Sequence, residues 1–235
     1  MTETLMRSLD AGYSALVTGA SGGIGNAISR QLEMDSNCAK VARLSRQENG
    51  FDLTDENSVQ RAADMLKSNE FDLIICATGA LTIDGMGPEK SIRQISQNAM
   101  MAQFAVNAVG PALVVKHFVP LLAKKKRVIF ALLSARVGSI GDNALGGWIS
   151  YRSSKAALNQ IVHTAAIEVA RANPLSLLVT VHPGTVITQL SDPFASDHPR
   201  SAPDEAAKRI LRMLDDLTPH HTGGFFAYDG TTIPW

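Results

Sequence analysis

The segment SYRSSKAAL, residues 150–158, contains two side chains that could transfer a proton together, Tyr151 and Lys155. If the segment is helical, their spacing of four residues puts both on one face of the helix. A free tyrosine has a pKa of about 10, and a neighbouring lysine ammonium favours the phenolate and lowers that pKa toward neutrality. Such a pair can act as a general acid or base. The same spacing also fits a polar stripe on an exposed helix, so the pair alone does not settle its role.

A second chemical feature is the glycine-rich stretch TGASGGIG, residues 18–25, which lies between an apolar run and a helical pattern. Glycine lets the chain turn tightly and approach a ligand closely, and the N–H groups at the start of the helix suit a pyrophosphate. Its spacing is longer at the front than in G-x-G-x-x-G, and a lone motif of this kind has false positives. The alternative is a turn that needs only flexible residues. Its position at the first strand-to-helix junction favours a nucleotide site.

Apolar runs and helical periodicities alternate along the whole chain. The runs that predict strands are 14–18, 40–44, 73–77, 127–133, 177–182 and 225–227, with a possible short strand at 51–53. Helical spacing is found at 23–34, 56–66, 151–171 and 204–217, and in a long stretch to Leu122 that Pro111 could break or bend. Such alternation requires parallel strands joined by right-handed crossovers. We therefore predict an α/β fold with a single doubly wound, Rossmann-like parallel sheet of about seven strands and helices on both faces.

The chain contains no linker or internal repeat that would divide it, so a single domain over residues 1–235 is expected. The largest irregular piece, 185–203, is rich in Ser, Asp and Pro. We expect it to cover a substrate pocket and to be mobile without ligand.

The charge balance argues against electrostatic capture of a polyanion, because 22 basic and 22 acidic residues cancel. Nucleic acid and an anionic membrane are therefore not expected partners. Neither a signal-peptide pattern nor an apolar run of about 18 residues is found, which predicts a cytoplasmic protein with no membrane span. Its two cysteines, Cys38 and Cys76, are expected to be reduced. The histidines show no metal-ligand spacing, so no metal is predicted.

Several motifs, in order along the chain, resemble those of the short-chain dehydrogenase/reductase family. They are TGASGGIG at 18–25, VNAVGP at 106–111, YRSSK at 151–155 and HPGTVIT at 182–188. The segments SARVGSIGDN, GGWISYRSSKAALNQ and YDGTTIPW are similar to the C-factor-like branch of that family. The resemblance covers essentially the whole chain and implies an NAD(P)-binding Rossmann-like domain.

The resemblance also implies which residues bind the dinucleotide. Thr188 matches a threonine that contacts the nicotinamide carboxamide, with Thr185 a second choice, and Asp52-Leu53 resembles a pair that contacts the adenine. The implied set is Gly19, Ser21, Gly22, Gly23, Ile24, Asp52, Leu53, Gly79, Tyr151, Lys155, Pro183, Gly184 and Thr188.

The end of the second strand bears on the choice between NAD and NADP. An acid there binds the adenosine ribose hydroxyls, whereas a basic residue accommodates a 2′-phosphate. This strand ends in Arg43-Leu44-Ser45-Arg46 with no acid. Arg46 could meet the phosphate, so we predict NADP, with NAD less favoured. The alternative for Arg46 is an exposed charge at the end of a strand.

For catalysis, the resemblance implies that Tyr151 is the acid/base and that Lys155 tunes it and binds the nicotinamide ribose. A serine after the fifth strand should polarise the carbonyl. Ser134 is the candidate, but Ala135 occupies the place where many members carry that serine, so Ser139 is an alternative. Asn107 matches an asparagine associated with a kinked helix and a water that links the lysine to solvent. The stretch before Gly79 lacks the two asparagines of the family's N-N-A-G.

These features together predict an oxidoreductase that interconverts a carbonyl and an alcohol with NADP(H). The expected partner is a small carbonyl or alcohol substrate, and a homodimer or homotetramer is expected from the resemblance. The alternative is a C-factor-like signalling or dinucleotide-sensing protein with little or no turnover.

Overall fold

The structure is a computed structural model that describes residues 4–188 and 200–235. Within those ranges the strands are β1 Tyr13–Thr18, β2 Cys38–Leu44, β3 Leu73–Cys76, β4 Val128–Leu133, β5 Ser176–His182 and β6 Phe225–Ala227. The α-helices are α1 Gly23–Met34, α2 Arg46–Asn49, α3 Glu56–Leu66, α4 Gln97–Phe104, α5 Gly110–Phe118, α6 Ile149–Ala172 and α7 Pro203–Asp216. Most of the predicted substrate loop, residues 189–199, lies outside the described part of the chain.

The strands form one parallel sheet in the order β2-β1-β3-β4-β5-β6, which confirms the predicted fold class. Within the described residues the sheet has six strands and not about seven, and the possible strand at Phe51–Leu53 does not form. The backbone N–H of Phe51 donates to the Ser45 carbonyl at 3.1 Å, and that of Asp52 donates to Ser58 Oγ at 3.0 Å. Local partners therefore take the donors that a strand would give to its neighbour.

Both faces of the sheet are buried, which explains the near-continuous apolar runs of the strands. In β4, Ile129, Ala131 and Leu133 point to one core, and Val128, Phe130 and Leu132 point to the other. The first core is covered by α1 and α7, and the second by α3, α5 and α6. The result is a sheet with a helical layer on each side.

The strand order reverses between β1 and β3, since the chain passes from β1 to β2 on one side and returns to β3 on the other. In open α/β sheets, ligands bind at such a point, in the crevice beyond the carboxyl ends of the strands. The glycine turn follows β1, and Gly79 follows β3. The fold therefore places both at this crevice.

The long helical stretch runs from α4 to α5 through a π-helical turn, Ala105–Val109. The Gly110 N–H bonds to the Ala105 carbonyl five residues back, and Pro111 follows at the start of α5 without ending the helix. Proline has no backbone N–H to donate, and the wider π-helical turn before it accommodates the missing hydrogen bond. Residues Gln97–Leu121 are also long and apolar enough to cross a membrane, with a mean hydropathy of 1.4. That is weak support for a span, because a core helix of a globular domain meets the same criterion and 44% of the window is buried.

Candidate active site

The glycine turn is held in a conformation that only glycine permits at two points. Gly19 has φ +73°, and a Cβ there would lie 2.9 Å from the Ala77 backbone. A Cβ on Gly25 would lie 2.2 Å from the Gly19 carbonyl oxygen. Helix α1 then begins without a side-chain cap or an acid in its first turn. Its N–H groups and positive dipole end are therefore available to an anion.

A cleft of about 230 Å³ opens beside this turn and gathers many of the predicted cofactor residues. Those that line it are Gly19, Ser21, Gly22, Arg46, Asp52, Leu53 and Gly79. They come from segments after β1, β2 and β3, so only the fold brings them together. Thr78 and Val106 also line the cleft and were not predicted. Ile24 is half-buried and packs against the first core instead.

Arg46 and Asp52 face this cleft from the segment after β2. Arg46 is exposed and has no salt bridge within the described residues. Arg43, by contrast, pairs with Glu48 at 2.9 Å and with Glu33 at 3.4 Å. Hydrogen bonds from the Thr54 hydroxyl and N–H lower the pKa of Asp52, and both end on Oδ1. Asp52 is thus a carboxylate acceptor. Arg46 is a cation without a salt bridge in the described residues, and its charge also favours the carboxylate of Asp52.

Tyr151 and Lys155 are both buried on α6. Lys155 Nζ donates to the Leu133 carbonyl at 3.0 Å and lies 5.9 Å from the centroid of the Tyr151 ring. Burial lowers the pKa of Lys155 to about 8 and raises the pKa of Tyr151 to about 12. The expected lowering of the tyrosine pKa is therefore wrong, because burial disfavours the charged phenolate and raises the pKa. Tyr151 is a protonated phenol, the form that donates a proton.

The two candidate serines have different surroundings. Ser134 follows β4, its N–H donates to the Val181 carbonyl at 2.8 Å, and its buried hydroxyl has no hydrogen-bond partner in the described chain. Ser139 Oγ donates to the Pro234 carbonyl at 2.5 Å and accepts from the Asp142 N–H at 3.0 Å. The Ser139 hydroxyl is therefore occupied by structural bonds, and that of Ser134 is not.

Asn107 lies in the π-helical turn and is fully buried. Its side chain accepts from the Ala80 N–H at 3.0 Å and donates to the Ala80 carbonyl at 2.8 Å and to Gln103 Oε1 at 2.7 Å. A Cβ on Gly79 would lie 3.2 Å from Asn107 Oδ1 and 3.3 Å from Lys155 Nζ. Since Gly79 also lines the cleft, the lysine ammonium lies directly behind the cleft wall.

The segment after β5 also approaches the glycine turn. A Cβ on Gly23 would lie 2.6 Å from Thr188 Cγ2, so the predicted nicotinamide threonine lies against the start of α1. Gly184, after Pro183, has φ +80°, and a Cβ there would lie 2.8 Å from the Tyr228 ring. These residues follow β5 at the same edge of the sheet as the glycine turn, but none of them lines the cleft.

Sequence reasoning missed the residues that hold the N-terminus of α6. The buried carboxylate of Glu89 accepts from the N–H and the hydroxyl of Ser150, and the Trp148 N–H donates to the Glu89 carbonyl at 2.5 Å. Burial raises the pKa of Glu89, but hydrogen bonds from Ser150 and from the backbone of Glu89 itself together outweigh burial and lower the pKa. The Trp148 and Tyr151 rings meet edge to face at 6.3 Å. Glu89 and Ser150 are 61 residues apart, so no local pattern signals their contact.

Comparison with known proteins shows the family of the chain. The family model described as short chain dehydrogenase matches residues 13–199. A 1-hydroxy-2-glutathionyl-2-methyl-3-butene dehydrogenase from Rhodococcus is 32% identical over 94% of this chain and 99% of its own. The C-signal protein of Myxococcus xanthus is 37% identical over 58% of this chain and 78% of its own. An NADPH-bound carbonyl reductase from chicken fatty liver has the same fold, with a TM-score of 0.83, 23% identity and full coverage of both chains.

The chain therefore belongs to the short-chain dehydrogenase family, and it is an oxidoreductase of that family.

Proposed function

We propose that the protein reduces a carbonyl group to an alcohol with NADPH and that Tyr151 donates the proton. The observation that carries the proposal is the double contact of Gly79, which lines the cleft and lies against Lys155 Nζ. This contact supports a position of the lysine ammonium just behind the cleft wall. The Tyr151 ring lies 5.9 Å from that ammonium, and Ser134 directly follows Leu133, whose carbonyl accepts from it. The chicken carbonyl reductase with NADPH bound shares the fold and supports the choice of cofactor.

The residues of the cleft fit a dinucleotide phosphate. The uncapped start of α1 and the close-packed glycines suit the pyrophosphate, and the exposed Arg46 suits a 2′-phosphate. Asp52 is a carboxylate that can accept from the adenine amino group. When bound, NADPH supplies the hydride.

Each catalytic side chain has a separate task. The Ser134 hydroxyl donates to the carbonyl oxygen and stabilises the charge that develops on it. The Tyr151 phenol gives its proton to that oxygen. The Lys155 ammonium stabilises the resulting phenolate and can donate to the ribose hydroxyls. Asn107 holds the backbone at Ala80 and so keeps Gly79 against Lys155.

The test is a panel of carbonyls and alcohols assayed with NADPH and with NADH, including a glutathione-conjugated alcohol because of the Rhodococcus relative. We expect turnover with at least tenfold preference for NADPH.

Tyr151→Phe should lower kcat by about 10²–10⁴-fold, and Ser134→Ala by about 10²–10³-fold. Ser139→Ala is the matched control, with kcat within about threefold of the wild type because that hydroxyl has only structural bonds. A preference for NADH, or an active Tyr151→Phe variant, would contradict the proposal.

A second candidate is a dinucleotide-binding signalling protein with little turnover, which the C-signal relative favours. The absence of both family asparagines before Gly79 also favours it. Calorimetry with NADPH and the substrate panel separate the two candidates. Tight NADPH binding with no turnover on any substrate would support the signalling protein.

A further inference from the structure

Glu89 is a buried acid in the loop between β3 and α4 that the proposed chemistry does not use. Only 6% of its surface is exposed, and a carboxylate so placed is costly unless hydrogen bonds compensate it. Its two oxygens have separate donors on α6. Ser150 N–H donates to Oε2 at 3.2 Å, and the Ser150 hydroxyl donates to Oε1.

These bonds cap α6 from a distant part of the chain. The N-cap residue of α6, Trp148, makes no side-chain cap bond, and the first turn of the helix contains no acid. Glu89 supplies both the hydrogen-bond acceptor and the negative charge that a helix N-terminus favours. Its backbone carbonyl also accepts from the Trp148 N–H at 2.5 Å.

The residues that Glu89 holds are the neighbours of Tyr151. Ser150 precedes the tyrosine directly, and Trp148 has a left-handed backbone with φ +53° and meets the Tyr151 ring edge to face. A non-glycine residue keeps such a backbone only when its surroundings hold it there. The contacts of Glu89 with Ser150 and Trp148 therefore restrict the position of the phenol.

The other end of the same loop is fixed beside Lys155. Asn107 binds the backbone of Ala80, and Gln103 Nε2 donates to the Leu81 carbonyl at 2.9 Å. The loop from Ala80 to Glu89 thus runs from the π-helical turn behind Lys155 to the start of α6 in front of Tyr151. This loop therefore links the surroundings of Lys155 to those of Tyr151, in addition to the link that α6 provides.

We propose that Glu89 is a positioning residue that orients Tyr151 by capping α6 from the loop after β3. This inference rests on the proposed function, in which Tyr151 is the proton donor. A misplacement of about 1 Å in a catalytic group can cost about 10²-fold in rate. The effect of losing Glu89 should therefore appear in kcat, while the cofactor cleft, whose lining does not include Glu89, keeps its affinity.

The test compares Glu89→Gln and Ser150→Ala with Asp35→Asn. Asp35 is the matched control, since it is an equally buried carboxylate that accepts from the Leu5 and Met6 N–H groups and the Tyr13 hydroxyl, after α1. Glutamine keeps the size of Glu89 but replaces one acceptor with a donor. We expect kcat about tenfold lower for Glu89→Gln and about threefold lower for Ser150→Ala, with NADPH Kd within about twofold. Asp35→Asn should lower Tm while leaving kcat below that transition unchanged.

A second readout is independent of turnover. The chain has two tryptophans, so a Trp235→Phe background isolates the fluorescence of Trp148. Glu89→Gln should shift that emission, and Asp35→Asn should not. If Glu89→Gln lowers only Tm, as Asp35→Asn does, and leaves kcat and the Trp148 emission intact, the inference is overturned.

The proposed function fails separately, when Tyr151→Phe remains active. In that case the emission shift still reports whether Glu89 holds the start of α6.

Discussion

The buried ammonium of Lys155 lowers the stability of the folded protein. Burial lowers the pKa of this lysine to about 8, from an ordinary value near 10.5. One pKa unit corresponds to about 1.4 kcal/mol, so keeping the charge at neutral pH costs the folded state about 3 kcal/mol. The bond to the Leu133 carbonyl does not remove this penalty. A residue that destabilises the fold and lies directly behind the wall of a cleft is typical of a functional site.

We expect Lys155→Met to abolish carbonyl reduction and to stabilise the protein. Removing the penalty gains about 3 kcal/mol, and leaving the Leu133 carbonyl without its donor costs about 1 kcal/mol or more, so the net gain at pH 7 is about 2 kcal/mol or less. Urea unfolding of both proteins measures it. Lys116→Met is the control, since that lysine is exposed and paired with Glu56, and should change the unfolding free energy by at most about 0.5 kcal/mol.

The stability gain of Lys155→Met should disappear at alkaline pH. Its pH dependence follows from the pKa of Lys155 in the folded and in the unfolded chain. Below pH 8 the lysine is protonated in both states, so the folded wild type carries the full penalty. Between pH 8 and about 10.4 the unfolded chain keeps its proton while the folded chain loses it, so wild-type stability rises relative to the variant. Equal stability differences at pH 7 and pH 10 would contradict the lowered pKa.

At the scale of the elements, the sequence predicted most of the sheet because most strands are buried on both faces, the edge strand β2 being the partly exposed exception. A continuous apolar run such as Val128–Leu133 can be recognised as a strand from its own residues, without knowledge of the neighbouring strands. The segment Phe51–Leu53 is short and has an acid between its two apolar residues, and its N–H donors bond to Ser45 and Ser58, which the sequence does not reveal. The glycine turn and the Tyr151–Lys155 pair were predictable because their spacing is local.

The parts of the site that could not be predicted are contacts between distant residues. The capping of α6 by Glu89 and the binding of the Ala80 backbone by Asn107 depend on how loops pack, and no periodicity encodes that packing. The pKa of Tyr151 was expected to fall because the charge of Lys155 is visible in the sequence and the burial of the phenol is not.

The π-helical turn supplies a test at the same scale, because α4–α5 and α6 each contain a buried asparagine. Asn107 has three hydrogen bonds, whereas both side-chain atoms of Asn159 lack a partner in the described residues. Asn107→Leu leaves the Ala80 N–H and carbonyl unpaired and should lower the unfolding free energy by about 2–4 kcal/mol and reduce kcat. Asn159→Leu removes an unsatisfied amide and should be neutral or stabilising. Denaturant unfolding measures both, and similar losses for the two variants would contradict this account.

At the scale of the whole molecule, the cleft is formed by segments that are distant in sequence and that the sheet brings together. Its walls come from the turn after β1, the segment after β2 and the end of β3, and Lys155 approaches from α6. A ligand that contacts all of them must bind the folded chain and not the unfolded one. Cofactor binding should therefore be visible as global stability. The homodimer or homotetramer and the cytoplasmic location stay predictions.

We expect NADPH to raise Tm more than NADH does, because Arg46 faces the cleft with no salt bridge in the described part of the chain. A ligand at 100 times its Kd stabilises by about 2.7 kcal/mol, which for a chain of this size shifts Tm by about 5–10 °C. Thermal unfolding with each cofactor measures the difference.

Arg46→Ala should reduce the Tm shift with NADPH to that with NADH. Arg61→Ala, an exposed arginine on α3 that does not line the cleft, should preserve the difference. An equal or larger shift with NADH in the wild type would refute the role of Arg46 and the preference for NADP together.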